Sequence, residues 1–166
     1  MDNKYQVRFS GLALGVHQFE FPVEDDFFES IEFGEIRKGK LSVVIDMVKE
    51  ENMMVLDFAI SGTVNITCDR CSELFDQKIE GQHQLIVKFG DKGVQNTDDI
   101  LFVPRIESEI QVASYIYEFT HLMLPQKRVH PEGECNQEIV DKLAQMGTAN
   151  KFEGGDPRWD ALRKVL

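Results

Sequence analysis

Three cysteines and one histidine are the residues of this 166-residue chain whose types and spacing could support chemistry. Cys68 and Cys71 are separated by two residues, a spacing that lets both sulfurs bind one tetrahedral ion at about 2.3 Å. Far downstream, His130 and Cys135 offer an imidazole and a thiol separated by four residues, which is also a metal-ligand spacing. Because every cysteine belongs to one of two compact half-sites, the set predicts a structural zinc ion bound by these four side chains.

Two other interpretations of the cysteines stay open at this point. Two cysteines with this spacing can be buried thiols that bind nothing, or they can form a redox-active pair. A redox pair of the thioredoxin type opens a helix after a strand, whereas the residues on both sides of Cys68 and Cys71 alternate as strands do. The three cysteines cannot all pair within one chain, and residues 1–5 lack the apolar run of a secretory signal. We therefore expect a cytoplasmic protein.

The net charge of the chain limits the partners that it can bind. Lysine and arginine together number 18 against 29 aspartates and glutamates, which gives a formal charge of −11. Such a chain repels a phosphate backbone and gains nothing from counterion release, so we expect no tight binding to naked nucleic acid. The same field attracts a basic protein. No segment has the eighteen or so apolar residues of a membrane span, so no membrane partner is expected.

An acidic segment that also contains aromatic residues is the candidate partner-binding surface. It comprises Glu24, Asp25, Asp26, Phe27, Phe28 and Glu29. Exposed carboxylates speed the encounter with a cationic protein, and aromatic rings can anchor an interface. The alternative is a solvated acidic loop whose phenylalanines belong to the core.

Apolar periodicity predicts a sheet in the first half of the chain. Alternation with period two predicts strands over 5–9, 16–21, 41–48, 53–66 and 74–89. The polar residues 49–52 have the length of a hairpin turn, so the third and fourth strands should pair antiparallel. The Cys68–Cys71 turn then lies between the last two predicted strands.

Helical spacing replaces this alternation in the second half. It predicts a helix over 107–122, a second over 136–146, and a third over 156–166 that begins with the N-cap and proline of Asp156-Pro157. Strands followed by helices predict a single α+β domain over 1–166. In this domain an antiparallel sheet from the N-terminal half is covered by C-terminal helices, with a helical segment from about 136–166.

Several short motifs occur in a characteristic order from about Ile60 to the C-terminus. They are Val64-Asn65-Ile66-Thr67-Cys68-Asp69-Arg70-Cys71, Glu118 with Leu124-Pro125, His130 to Cys135, and Asp156-Pro157-Arg158-Trp159-Asp160-Ala161-Leu162. In this order they resemble the bacterial YceD family, which is named for accumulation of the large-subunit ribosomal RNA. Its gene commonly neighbours one for a small, basic, zinc-ribbon ribosomal protein, so the resemblance implies that protein as a natural partner.

The resemblance implies a ribosome-biogenesis factor that supports accumulation of large-subunit ribosomal RNA by binding a basic large-subunit ribosomal protein or a pre-ribosomal particle. A metal-dependent RNA-processing hydrolase and a thiol redox sensor are the alternatives. We expect no enzyme, because three thiolates and one imidazole would fill a zinc ion and leave no position for an activated water. The chain also contains no phosphate-binding loop, dinucleotide fingerprint or hydrolase motif.

Overall fold

The computed structural model of the chain describes residues 4–32, 34–90 and 100–148. These residues form two compact units. The described residues up to Ile66 and those of Leu74–Arg128 form the first unit, and Thr67–Glu73 with the described residues from Val129 onward form the second. The single domain over 1–166 stays a prediction, and the predicted third helix over 156–166 lies outside the described residues.

Strands dominate the first unit, and the α+β prediction is confirmed. The strands are β1 (Gln6–Arg8), β2 (Gly15–Val23), β3 (Lys38–Lys49), β4 (Met53–Thr67), β5 (Leu74–Phe89), β6 (Ile100–Val103) and β7 (Glu109–Gln111). The helices are α1 (Asp25–Glu29), α2 (Ala113–Leu122) and α3 (Gln137–Thr148). None of the described helices combines the length and the apolar character needed to cross a membrane.

The main sheet has five strands in the order β2-β3-β4-β5-β6, and β1 pairs with β7 in a separate two-stranded sheet. The predicted hairpin is confirmed, since β3 and β4 pair antiparallel with Lys49 opposite Met54. β2 also runs antiparallel to β3. The sheet is mixed at its other edge, because β6 lies parallel to β5. Sequence periodicity did not predict β6, whose four residues are too few to establish a pattern.

The core lies on one face of the long strands. Val43, Ile45 and Met47 of β3 are fully buried, and β4 places Ile60, Phe58 and Leu56 opposite them. On α2, Phe119 meets Phe58 edge to face at 5.1 Å between ring centroids. Because burying each such side chain contributes about 1.5–3 kcal/mol, this face supplies most of the driving force for the first unit.

The predicted helix over 107–122 is wrong at its start. Residues Glu109–Gln111 form β7 and pair with β1, and the helix begins only at Ala113. Ile110 and Val112 are both buried, which fits the period of a strand, whereas the helix prediction depended on the spacing of Ile106, Ile110 and Ala113. Backbone pairing with β1 makes this segment a strand and not the start of a helix. The N–H of Val112 extends the pairing by one residue, because it donates to the carbonyl of Tyr5 at 3.0 Å. The second predicted helix is confirmed as α3.

Candidate metal centre

The first half-site is the tight turn between β4 and β5. The N–H of Cys68 donates to the carbonyl of Glu73 and the N–H of Ser72 donates to the carbonyl of Cys68, each at 2.9 Å. The backbone N–H of Arg70 points at the Cys68 sulfur, 3.4 Å away. Ser72 has a φ of 61°, in the left-handed region where residues other than glycine are uncommon. This conformation reverses the chain directly after Cys71.

The second half-site is a turn that leads into α3, and His130 and Cys135 stand at its ends. The N–H of Glu134 donates to the carbonyl of Pro131 at 3.1 Å. Gly133 has a φ of +87°, which glycine adopts without the steric penalty of a Cβ. The turn brings the imidazole and the thiol, five positions apart in sequence, to the same side of the chain.

Asn136 connects this turn to α3 and also to the first half-site. Its Oδ1 accepts the N–H of Glu138 at 3.1 Å, so the side chain caps the start of the helix. Its Nδ2 donates to Oε1 of Glu73 at 2.7 Å. Glu73 belongs to the first turn, so one asparagine side chain fixes both the helix start and the spacing of the two turns.

The four sequence-predicted ligands meet in the second unit. The donor atoms of Cys68, Cys71, His130 and Cys135 all lie within 4.8 Å of one another. The sulfurs of Cys68 and Cys135 are 3.8 Å apart. Nδ1 of His130 lies 3.4 Å from the Cys71 sulfur and 3.8 Å from the Cys135 sulfur.

These distances fit the edges of a zinc tetrahedron. With Zn–S bonds of about 2.3 Å and a Zn–N bond of about 2.0–2.1 Å, a regular tetrahedron has S···S edges of about 3.8 Å and S···N edges of about 3.5 Å. The three measured edges lie close to these values. The donor set, three sulfurs and one imidazole nitrogen, is also one that structural zinc sites use. The residues therefore fit zinc in type and in spacing.

Burial and charge make the site better suited to a metal ion than to free thiols. All three cysteines are buried. Burial alone would raise the pKa of the Cys68 thiol. Backbone N–H groups of Cys71, His130 and Arg70, together with the His130 side chain, donate to its sulfur and lower its pKa to about 5. Burial raises the pKa of the Cys135 thiol, and the sulfurs of Cys68 and Cys71 raise it further.

The opposite directions of these two pKa shifts show how the sulfurs compete for negative charge. A buried cluster can hold one thiolate on hydrogen bonds, but each additional thiolate repels the first. A divalent cation removes this repulsion and keeps coordinating thiols deprotonated. A bound cation would therefore allow the sulfurs of Cys68 and Cys135 to carry negative charge together.

Comparison with known families shows which family the chain belongs to. Residues 56–166 match the family model described as large ribosomal RNA subunit accumulation protein YceD. The chain belongs to the YceD family. The matched region includes all four candidate ligands, and it confirms the resemblance that the motif order indicates. The family description associates such proteins with accumulation of the large-subunit ribosomal RNA. No curated protein and no solved structure matches this YceD-family chain.

The acidic segment of this YceD-family protein divides into exposed carboxylates and buried rings. Glu24, Asp26 and Glu29 are exposed. Phe27 and Phe28 lie in the core, 4% and 0% exposed, with their rings edge to face at 5.2 Å. The structure therefore places both rings in the core, as the alternative interpretation predicts, and neither ring is exposed on the surface. Partner binding by the carboxylates stays a prediction.

Asp25, the remaining member of the segment, has a local structural role. Its Oδ1 accepts the backbone N–H of Gly39 at 2.9 Å, which connects α1 to the start of β3. Asp25 is exposed as well, but unlike Glu24, Asp26 and Glu29 its carboxylate bonds to the backbone of a neighbouring element.

Two features of the metal centre were not found from sequence. The predicted helix over 136–146 begins at Asn136, whereas α3 begins at Gln137 and Asn136 is its N-cap. The bond from Asn136 to Glu73 depends on the tertiary structure. Ser72 gave no signal, because serine is not a residue that commonly adopts positive φ.

Proposed function

We propose that this YceD-family protein is a non-enzymatic ribosome-biogenesis factor with a structural zinc ion. It supports accumulation of large-subunit ribosomal RNA by binding a basic ribosomal protein or an assembly intermediate that contains one. The observation that carries the proposal is the family membership over residues 56–166. The geometry of the chain adds two supporting arguments, one against catalysis and one for a basic protein partner.

The composition of the metal site argues against catalysis. Three sulfurs and one imidazole complete the four-coordinate sphere of zinc, whereas a catalytic zinc keeps a position for water or substrate. The Cys68, Cys71 and Cys135 side chains are all buried, so substrate would reach the ion with difficulty. Such an ion supplies fold stability and no Lewis-acid chemistry.

The charge of the chain supports a basic protein as the partner. The formal charge is −11, and the exposed carboxylates of Glu24, Asp26 and Glu29 stand on or next to α1. Complementary charge raises association rates and suppresses unwanted partners. Naked RNA carries the wrong sign of charge for this surface.

A tagged pull-down with matched charge variants tests the proposal. The test variant combines Glu24→Gln, Asp26→Asn and Glu29→Gln and leaves Asp25 intact because it bonds to Gly39. The control variant removes the same charge at the exposed residues Glu50, Glu51 and Glu107 by changing each to glutamine. Captured proteins and RNA are identified with and without nuclease treatment.

We expect the unaltered chain and the control variant to capture basic large-subunit ribosomal proteins even after nuclease treatment. The test variant should capture several-fold less of them. Depletion of the protein in cells should lower large-subunit ribosomal RNA, and the control variant should restore it. Capture that disappears with nuclease, or cleavage of precursor RNA by the purified protein, would contradict the proposal.

A thiol redox sensor would give a different result in the same preparation. It would contain no metal, and mild oxidant would join two of its cysteines reversibly at concentrations that leave ordinary buried thiols unchanged. The proposed factor contains one zinc per chain and resists oxidation until the metal is removed, because coordinated thiolates are not free to react.

A further inference from the structure

A cavity of about 430 Å³ lies in the first unit, away from the metal centre. It is bordered by the residues before β1, by α1 and the residues after it, and by the first turn of α2. This volume is at the small end of the range for ligand pockets, which is about 300–1,000 Å³. The space suits one side chain or a small group rather than a large cofactor.

Aromatic side chains and a carboxylate line this cavity together. Tyr5, Phe27 and Tyr117 contribute rings, and Asp26 contributes a carboxylate. The rings of Tyr5 and Phe27 are fixed edge to face at 4.9 Å. The hydroxyl of Tyr117 accepts the backbone N–H of Glu35 at 3.1 Å, which holds that ring in place. Several aromatic rings and one acidic group form the usual chemistry for recognising a cation.

The chain's own Lys4 already occupies a cation-binding position here. Its Nζ lies 5.5 Å from the centroid of the Tyr5 ring, within the roughly 6 Å of a cation–π contact. Lys4 also lines the cavity and is exposed. The Tyr5 face therefore attracts a cation in this structure, and an exposed lysine can be displaced by a stronger one.

The charged residues around the cavity also favour binding of a cation. Glu24, Asp25 and Glu29 surround Asp26 in sequence on or next to α1, and Lys4 is the single cationic side chain among the residues that line the cavity. Arginine fits such a site better than lysine, because its planar guanidinium stacks on aromatic rings and also donates two parallel hydrogen bonds to a carboxylate.

We propose that this cavity is an arginine-recognition pocket that receives one arginine side chain of the basic protein partner. Asp26 pairs with the guanidinium, and the Tyr5 and Tyr117 rings bound its stem and faces. The inference rests on the proposed function, since it assigns a contact to the basic partner. The sequence suggested the Phe27 and Phe28 rings as exposed anchors for a partner, but both rings are buried. In this proposal the partner is instead held by a pocket, and Phe27 is one of the residues that line it.

The first experiment titrates the ¹⁵N-labelled protein with N-acetyl-arginine methylamide and follows its amide resonances. The uncharged analogue N-acetyl-citrulline methylamide, which has nearly the same shape, is the control ligand. Saturable shifts are expected at Ser30, Ala113 and Ser114, which border the cavity, with about tenfold weaker binding of the citrulline compound. Equal binding of both compounds would make the pocket a neutral side-chain site and overturn the proposal.

Substitutions at the mouth of the cavity give the second experiment. Ser114→Arg places a tethered guanidinium at the mouth, on an exposed position of α2, and should abolish binding of the arginine compound. Ser42→Arg makes the same charge change on an exposed position of β3 that is not part of this lining, and should leave binding unchanged. Lys4→Ala removes the competing cation and should tighten binding several-fold. Unchanged binding in Ser114→Arg would overturn the proposal, provided its amide spectrum stays dispersed.

Pull-down with the same variants separates this proposal from the proposed function. If Ser114→Arg captures basic ribosomal proteins as well as the unaltered chain does, the pocket is not the contact while the proposed function stands. If the arginine compound binds at the cavity but no large-subunit protein is captured, the proposed function fails while the pocket assignment stands. Loss of capture in Ser114→Arg, with capture retained in Ser42→Arg, supports both.

Discussion

The cysteines of the candidate metal centre differ in how their surroundings change the thiol pKa. Cys68 is the candidate ligand whose sulfur accepts backbone N–H groups, which lower its pKa to about 5. Cys135 is the candidate ligand whose pKa is raised by burial and by the neighbouring sulfurs. In the folded site these hydrogen bonds favour the Cys68 thiolate, whereas a bound cation would be needed to favour the Cys135 thiolate.

Ser72 offers a prediction at this scale. Among the described residues other than glycine, it alone has a positive φ, 61°. A β-branched side chain disfavours that conformation by about 1–2 kcal/mol, which corresponds to about 5–30-fold in an equilibrium constant. We expect Ser72→Val to weaken zinc binding by about that factor and Ser72→Gly to leave it nearly unchanged, as measured by competition with a chelator. Ser10→Val, at an exposed turn, is the control. Equal affinities of the valine and glycine variants would show that the turn does not constrain the site.

The ligands themselves could be predicted from sequence because their spacing is local. Cys68 with Cys71, and His130 with Cys135, each fit within one turn of chain, so each half-site is visible in the sequence. We could infer that the two half-sites lie together in space only because each offers two of the four donors that a zinc ion needs. Ser72 could not be predicted, since its φ follows from hydrogen bonds made by Cys68, not from its own side chain.

At the scale of elements, Asn136 and Glu73 determine how α3 begins. Asn136→Ala removes both the N-cap and the bond to Glu73, and we expect it to lower stability by about 1–2 kcal/mol. Asn136→Asp keeps the cap acceptor but replaces the Nδ2 donor with an oxygen facing the Glu73 carboxylate. Adding Glu73→Gln to Asn136→Asp should restore most of the stability, because an amide can donate to the aspartate. Thermal unfolding of the zinc-loaded variants measures this. No recovery in the double variant would mean that the Glu73 contact contributes nothing.

Gly62 gives the corresponding prediction for the β3–β4 hairpin. It has a φ of +149°, and a Cβ built there would lie 2.2 Å from the carbonyl oxygen of Lys40 on β3. Gly62→Ala must therefore move one strand, and we expect a loss of about 3 kcal/mol or more. Ser61→Ala, at the exposed neighbouring position, should change stability by less than about 0.5 kcal/mol. Urea unfolding of both variants checks this, and similar midpoints would show that the two strands can separate there without cost.

Long elements could be predicted from sequence better than short ones. β3, β4 and β5 alternate over twelve or more residues, so their period is unmistakable. β7 has three residues, Glu109–Gln111, and apolar residues at 106, 110 and 113 fit a helix period equally well. The choice depended on pairing with β1, about a hundred residues earlier in the chain. Such pairing is a tertiary effect that no local pattern contains.

At the scale of the whole molecule, the net charge determines which partners the protein can bind. The charge of −11 opposes the phosphate field. The local basic pair Lys127–Arg128 is partly neutralised too, because Arg128 pairs with the carboxylate of Glu35. Non-specific RNA-binding proteins have dissociation constants of about 1–100 µM at physiological salt. We expect no retention of naked ribosomal RNA by this protein below about 100 µM in a gel-shift titration. Salt-resistant retention at micromolar protein would contradict the electrostatic account.

The candidate metal centre brings together parts of the chain that are distant in sequence. Cys71 and His130 are 59 positions apart, and Cys68 and Cys135 are 67 apart. The free energy of binding one ion to all four residues would offset much of the loop-closure entropy that the second unit loses on folding. Metal binding and formation of this unit are therefore expected to be coupled.

X-ray absorption at the zinc edge, on protein purified without chelator, tests the central claim most directly. The account predicts one zinc per chain, with three sulfur neighbours at about 2.3 Å and one nitrogen neighbour at about 2.0–2.1 Å. His130→Ala should keep the three sulfurs and replace the nitrogen with water oxygen, whereas His17→Ala, at a histidine whose Nε2 bonds the carbonyl of Ala13, should change nothing. Absence of zinc, or a site with fewer than three sulfurs in the unaltered chain, would contradict the account.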